Sequence, residues 1–210
     1  MKKFELTTKF ITNVAGKKLF RIKALVEFGN VKAGELGGYV EKEGNISQDG
    51  NAWVSGNAWV DGNATVSGNA TVSGNAWVTG NTKVSGNATV TGNTKVSGNA
   101  TVSGNAKVHG NAWVTDNTEV SGNATVSGNA EVSGNTDYAL AQGFGTEFRC
   151  TTFYRGKNKK IMVNCGCFHG DLEEFRKQVK ETRSGKIAKE YLMIADLMEY
   201  HFASEDSDDE

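Results

Sequence analysis

The residues best equipped for chemistry lie between positions 143 and 169. Cys165-Gly-Cys167-Phe-His169, with Cys150 on the strand expected to pair with it, gathers soft ligands in a small space. A structural zinc takes four ligands, commonly from paired Cys-x-x-Cys spacing. Cys-x-Cys-x-His supplies no such pairs. Cys150, Cys165, Cys167 and His169 are therefore weak metal candidates, and buried, reduced cysteines with no metal are expected instead. Just upstream, Gly143-Phe-Gly145-Thr146-Glu-Phe-Arg149-Cys-Thr151-Thr152 joins a glycine-rich turn to exposed hydroxyls and a guanidinium. Turn N–H groups and arginine both suit phosphate, which makes Gly143, Gly145, Thr146, Arg149, Thr151 and Thr152 the candidate site for a small anionic ligand. The same stretch also reads as a plain connector.

Catalysis would fall to Arg149, Cys165, Cys167 and His169. Their spacing identifies no nucleophile with a base and an orienting group, so no enzyme and no cofactor is expected. His109, farther upstream, occupies a slot filled elsewhere by Ser, Thr or Asp. No loop interrupts its surroundings to build a cleft, and it reads as a tolerated surface variant rather than a general base.

These residues need positioning elements. Phe148–Tyr154 and Lys160–Cys165 alternate as strands around the turn Gly156-Lys-Asn. Asp171-Leu-Glu-Glu opens a helix as a capping box, with Leu172, Phe175 and Val179 on its buried face. A second helix spans about 187–202, burying Ile187, Tyr191, Ile194, Met198 and Phe202. The expected unit over 141–203 is ββαα. So small a unit is marginal alone, and it should lean on what precedes it.

What precedes it is a repeat. Fourteen hexads fit Asn-(Ala/Thr)-x-Val-x-(Gly/Asp) from Asn51 to Gly134 without an insertion, valine recurring from 54 to 132. Asn45–Gly50 is a degenerate entering hexad with Ile46 and Gln48 in the apolar slots. Asn135–Leu140 is a degenerate leaving one. Within a hexad the small residue and the valine lie two apart, so a strand points both inward and the residue between them outward. Gly and Asn turn the corner, since both tolerate left-handed backbone angles. Three hexads close an 18-residue triangular rung, and rungs gain stability by stacking. A disordered low-complexity repeat would not keep an unbroken valine spacing.

The repeat resembles the hexapeptide-repeat proteins with single-stranded left-handed β-helices. The handedness is implied by that resemblance alone. Val31-Lys-Ala-Gly-Glu-Leu-Gly-Gly-Tyr-Val before Asn45-Ile-Ser-Gln-Asp-Gly resembles the leading segment of the YdcK-like branch. Nearly the full length, including Val163-Asn-Cys-Gly-Cys-Phe-His-Gly-Asp-Leu-Glu-Glu-Phe, is similar to bacteriophage and prophage proteins of unknown function. The resemblance implies a binding or scaffold protein, with a host protein, a defence component or a nucleotide-like signal as partner. It also implies a homo-oligomer, trimer or dimer. Many hexapeptide-repeat proteins are acyltransferases, but their chemistry needs a histidine base in a cleft, which this array does not offer.

An 18-residue rung stacks outward positions into columns. One face presents Trp59, Trp77, Lys95, Trp113 and Glu131; a second Trp53, Thr71, Thr89, Lys107 and Thr125; a third Thr65, Lys83, Thr101 and Glu119. Trp59, Trp77 and Trp113 make a candidate oligomer or partner face. Tryptophan stacking on its neighbours is the plain alternative, and a sugar platform a weaker one. Lys and Glu interrupt every threonine column, which argues against an ice-binding plane.

The remaining features bound the class. Residues 1–44 carry a hairpin, Lys3–Thr8 with Leu19–Val26, then a glycine-rich passage at Gly34–Gly38. This reads as a β cap for the first rung, because an uncapped solenoid end would polymerise. The expected order is cap 1–44, solenoid 45–140, α+β unit 141–203 and an acidic disordered tail 204–210. Net charge is −1, with no basic stripe, so no nucleic-acid partner is expected. No apolar run is long enough for a membrane span, and the start lacks a signal peptide's apolar segment. An odd count of three cysteines makes no disulfide framework, so cytoplasm is the expected compartment. The function reading is a non-enzymatic binding or scaffold protein. Its rivals are an enzyme at the solenoid–C-terminal junction and a structural virion or filament component.

Overall fold

A computed structural model describes residues 2–203, and the acidic tail expected at 204–210 lies outside the described residues. The chain opens with β1 (Phe4–Thr12), β2 (Lys18–Ala24) and β3 (Leu36–Val40). Fourteen two-residue strands follow, β4 at Trp53–Val54 through β17 at Glu131–Val132, each an outward residue and its valine. The C-terminal part contributes β18 (Tyr138–Phe144), β19 (Arg149–Arg155), β20 (Ile161–Cys165) and β21 (Phe168–Asp171), then α1 (Leu172–Thr182) and α2 (Gly185–His201).

The array is the parallel β-solenoid that its spacing predicts, about five turns long. Thr71 pairs with Thr89 and Thr89 with Lys107, Trp59 with Trp77, and Thr65 with Lys83, each 18 residues apart. The valines are wholly buried and stack with the alanines into one narrow core. Asparagine amides form a ladder along each corner, as from Asn51 to Asn69 to Asn87 at 3.0 Å per step. The corner glycine sits where the next rung leaves no room. A Cβ on Gly80, at φ 79°, would lie 2.6 Å from the carbonyl oxygen of Gly98. One corner departs from glycine: Asp116 takes φ 57° itself.

The entering coil differs from the expected one. Val40 pairs with Val60 and Ile46 with Val66, both 20 apart rather than 18. Val40 and Ile46 therefore fill valine slots six apart, and the slip is absorbed around Gln48 and Asp49. Gln48 is not a core residue: its side chain accepts from the backbone N–H of Lys3 at 2.7 Å. The glycine-rich passage turns at Gly34 and runs into strand β3, where Gly38 occupies an alanine slot without a side chain, since a Cβ there would lie 2.5 Å from the Ala58 carbonyl.

The leaving end also departs from the repeat. Asn135–Asp137 form a 3-10 turn and Tyr138 starts β18, so Asn135–Leu140 is not a further coil. The C-terminal sheet runs β18-β19-β20-β21, two strands more than expected, making ββββαα rather than ββαα. The capping box forms: Asp171 accepts from Glu174 N–H at 3.0 Å and Glu174 accepts from Asp171 N–H at 2.8 Å. Leu172, Phe175, Val179, Tyr191, Ile194, Met198 and Phe202 are buried in a second core, separate from that of the array, while Ile187, expected among them, is only partly buried at its edge.

Both ends of the stack are closed by side chains that replace missing backbone partners. At the first rung the Lys3 ammonium donates to the carbonyls of Ala52 and Gly50 at 3.0 and 3.2 Å. Asn45 donates to Ala64 O at 2.8 Å. At the last, Thr152 Oγ1 accepts from Thr125 N–H at 3.0 Å and Asn135 Oδ1 accepts from Glu119 N–H at 2.9 Å. Trp53, expected on an outer column, is covered by this N-terminal cap, with Phe28 and Phe4 edge-on at 5.4 and 6.3 Å.

Candidate functional site at the solenoid junction

Strand β19 sends alternate side chains to opposite sides, and this decides which candidates meet. Thr152 and Tyr154 face the solenoid, while Thr151 and Phe153 face the helices. Asn164, opposite on β20, donates to Thr125 O at 2.8 Å, Ser127 Oγ at 3.0 Å and Tyr154 Oη at 3.0 Å. Asn164, Ser127 and Tyr154 are buried, so this network joins the C-terminal sheet to the last rung.

Thr151 and Thr152 are each 1% exposed and already bonded, contrary to the expectation of exposed hydroxyls. Thr151 donates to Cys165 Sγ at 3.2 Å. Gly143 stands in open space. Gly145, at φ 72°, leaves room for the Tyr191 ring, whose hydroxyl donates to Phe144 O at 3.3 Å. Of the predicted ligand set, Thr146 and Arg149 reach a cleft.

That cleft measures about 150 Å³. Thr146, Glu147 and Arg149 line one side, Gln178, Thr182 and Arg183 the other, and Phe168, Phe175 and Val179 form the apolar lining with Tyr191. Burial and the neighbouring Cys165 push the Tyr191 phenol up, with Arg183 and Arg149 pulling the other way, so its hydroxyl remains a donor at neutral pH. Arg155 bonds Asp137, and Arg176 bonds Glu173, Asp196 and Glu199. Arg149 and Arg183 make no ion pair among the described residues.

A second groove, of about 560 Å³, opens on the other side of Arg149. His109, Thr125, Ser127 and Gly128 of the solenoid form one wall. Arg149, Cys150, Asn164, Gly166, Cys167, Phe168 and His169 form the other. His109 thus does have a cleft, supplied by the C-terminal sheet rather than by a loop within the repeats. Burial, His169 and Lys107 hold its imidazole below the ordinary histidine range. Gly166, at φ 61°, turns β20 into β21; a Cβ there would lie 2.5 Å from Arg149 Nη1, so the bare turn makes room for the guanidinium.

The cysteines are not uniformly buried. Cys150 and Cys165 are half-buried, Cys167 is exposed, and all three are free thiols. Burial pushes the Cys150 thiol up, which keeps it protonated. No group of three metal-ligating side chains comes together among the described residues.

On the tryptophan face, the rings of Trp59 and Trp77 lie 5.2 Å apart, and Lys95 Nζ sits 5.0 Å from Trp77 and 5.5 Å from Trp113. Trp59 and Trp77 are half-buried by this stacking, whereas Trp113 remains 47% exposed. Sequence reasoning missed Arg183, Tyr191 as a site residue, and Asn164. Asn164 left a signal, a polar residue among the apolar positions of β20; Arg183, in an interhelical link, left none.

Three stretches, residues 64–80, 95–110 and 120–135, match the family model described as YdcK Beta solenoid repeat. No curated protein matches the chain. No helix among the described residues is long and apolar enough to cross a membrane. The matched stretches all lie in the array before the C-terminal sheet, so the likeness concerns the coil, and the chain is a β-solenoid protein with repeats similar to those of YdcK.

Proposed function

We propose that this chain is a binding protein whose solenoid is a rigid spacer and whose junction with the C-terminal unit holds an anionic small molecule. The observation that carries this is the convergence of Arg149 and Arg183, neither ion-paired among the described residues, with the Thr146 hydroxyl at one cleft, whose Thr182 and Tyr191 hydroxyls already donate to Gln178 O and Phe144 O. Two guanidinium forks with one free hydroxyl suit a carboxylate or phosphate, and the apolar lining of Phe168, Phe175 and Val179 suits an organic body. Binding without turnover is favoured because Cys165, one of the two thiols on the cleft, already accepts from Thr151, and the exposed Cys167 has no hydrogen-bonded base beside it among the described residues. The similarity to phage and prophage proteins makes a nucleotide-like signal or a host protein the partner to try first, in the host cytoplasm.

Native mass spectrometry on gently purified full-length protein tests the reading. An extra non-covalent mass that disappears in an Arg149→Gln, Arg183→Gln double variant is the expected result. An unchanged adduct in the folded double variant overturns it. Self-association into a dimer or trimer through the Trp59, Trp77 and Trp113 face belongs to the same proposal, supported by the exposure of Trp113. Sedimentation of Trp113→Thr should show a shift toward monomer, and an unchanged oligomer would remove that face from the assembly.

A further inference from the structure

The column containing His109 reads Ser55, Ser73, Thr91, His109, Ser127 along the stack. The one imidazole of the array thus stands on the rung that adjoins the last, beside the groove wall built by the C-terminal sheet. There it meets His169, whose ring lies over the bare corner at Gly128: a Cβ on Gly128 would come within 3.2 Å of His169 Nε2. Gly128 stacks beneath Gly110, the residue that follows His109. The two imidazoles therefore flank the same corner, and Arg149 lines the groove with them.

The charges facing this pair are of one sign. Lys107 lies on the strand leading into His109; Arg149, His169 and the thiols of Cys150 and Cys167 face it from the C-terminal sheet. No carboxylate lines the groove among its described residues; Glu147 lies on the smaller cleft. Cationic neighbours oppose binding of a metal cation and favour an anion. N–H donors on two walls with a guanidinium suit a tetrahedral group with several oxygens better than a planar carboxylate.

We propose that this groove binds a phosphoryl group, held between His109 and His169 with Arg149 shared with the adjoining cleft. The proposal rests on the reading of the junction as an anion site, and it names the chemistry and the pH dependence. A bound dianion attracts a proton to the His109 imidazole, so capture is accompanied by proton uptake and tightens as pH falls through the histidine range. The ligand is then an inorganic or organic phosphate whose remainder can extend past Arg149 toward Phe168 and Tyr191.

Titration calorimetry on the full chain with inorganic pyrophosphate tests this, in two buffers of different ionisation heat. Referred to a single ionisation state of pyrophosphate, which itself titrates in this range, affinity should rise roughly fivefold or more from about pH 7.5 to about pH 6, with proton uptake beyond the ligand's own. His109→Ser restores the usual residue of that column and should fold normally. It and His169→Gln should each weaken binding by roughly fivefold or more, as loss of a donor predicts, and His109→Ser should also flatten the pH dependence. Unchanged affinity in both histidine variants, with loss in Arg183→Gln, would confine the anion to the small cleft and overturn the groove assignment alone. Absence of pyrophosphate binding at either pH would overturn the phosphoryl site, while an adduct dependent on Arg149 and Arg183 in native mass spectrometry would leave the broader reading standing.

Discussion

The array and the C-terminal unit close their backbones in opposite ways. In the array each strand is two residues long and every rung repeats the last, so N–H and C=O groups meet their partners one rung away, as Trp53 N–H meets Ala70 O at 3.0 Å. No individual outward side chain is needed for that pairing. Where the array meets the C-terminal unit, closure depends instead on single residues: Thr152, Asn164 and Asn135 each complete a backbone that the repeat has stopped completing. A periodic surface presents the same groups at every rung and so builds no pocket. Clefts form where the period ends, between the last rungs and a sheet of different curvature.

The largest expected effect breaks the array. Val90 is fully buried in the middle of the stack, and Val90→Asp places an uncompensated carboxylate in a core with no partner, costing roughly 3–5 kcal/mol or more. Circular dichroism should show loss of the cooperative β signal. A variant that melts like the parent would mean that the core is wetter than this packing. The junction should respond more locally. Asn164→Ala leaves the groups around Thr125, Ser127 and Tyr154 short of a partner at about 1–3 kcal/mol, and hydrogen exchange should lose protection in β18–α2 while the array keeps it. Uniform loss along the whole chain would show that the two regions unfold as one unit.

The aromatic ladder should matter less. Trp77→Thr installs a residue that other hexads carry and forfeits the Trp59 stacking, at about 0.5–1.5 kcal/mol by thermal melting. His109 supplies a pH signature. Its folded-state pKa is held below the ordinary value, so the unfolded chain binds more protons between the two, and stability is lost as pH falls through the ordinary histidine range. His109→Ser should melt with a shallower acid slope than the parent in the absence of ligand. Identical slopes would assign the titration elsewhere. Smallest of all, Asp116→Gly replaces a left-handed non-glycine corner with the residue of the other corners and should stabilise by about 0.5–1 kcal/mol.

Much of this was legible because the array is periodic. Once the valines recur at six and corners fall at three per rung, the three outer columns follow arithmetically, and the observed pairings agree with all three. Legibility failed where the period did. Ile46 takes a valine slot and Gln48 none, because Val40 and Ile46 set their own spacing of six and the two-residue slip is taken up afterwards. Thr151 and Thr152 looked like ligand hydroxyls, but alternation in β19 turned one toward Cys165 and the other onto the last rung. The tryptophans were placed on the right columns, yet Trp53 lies beneath the N-terminal cap and Trp113 does not.

The sequence by itself determined the solenoid, its 18-residue rung, the capping box at Asp171 and the buried faces of both helices. All of these are set by contacts at fixed, short offsets that a local pattern encodes. The tertiary structure alone decided that His109 faces His169, that Arg149 sits between two clefts, and that Arg183 joins it. Those residues are brought together by how a twisted antiparallel sheet seats on the end of a coil. That fit depends on the buried contacts of Asn164, Ser127 and Tyr154, whose spacing along the chain carries no trace of it.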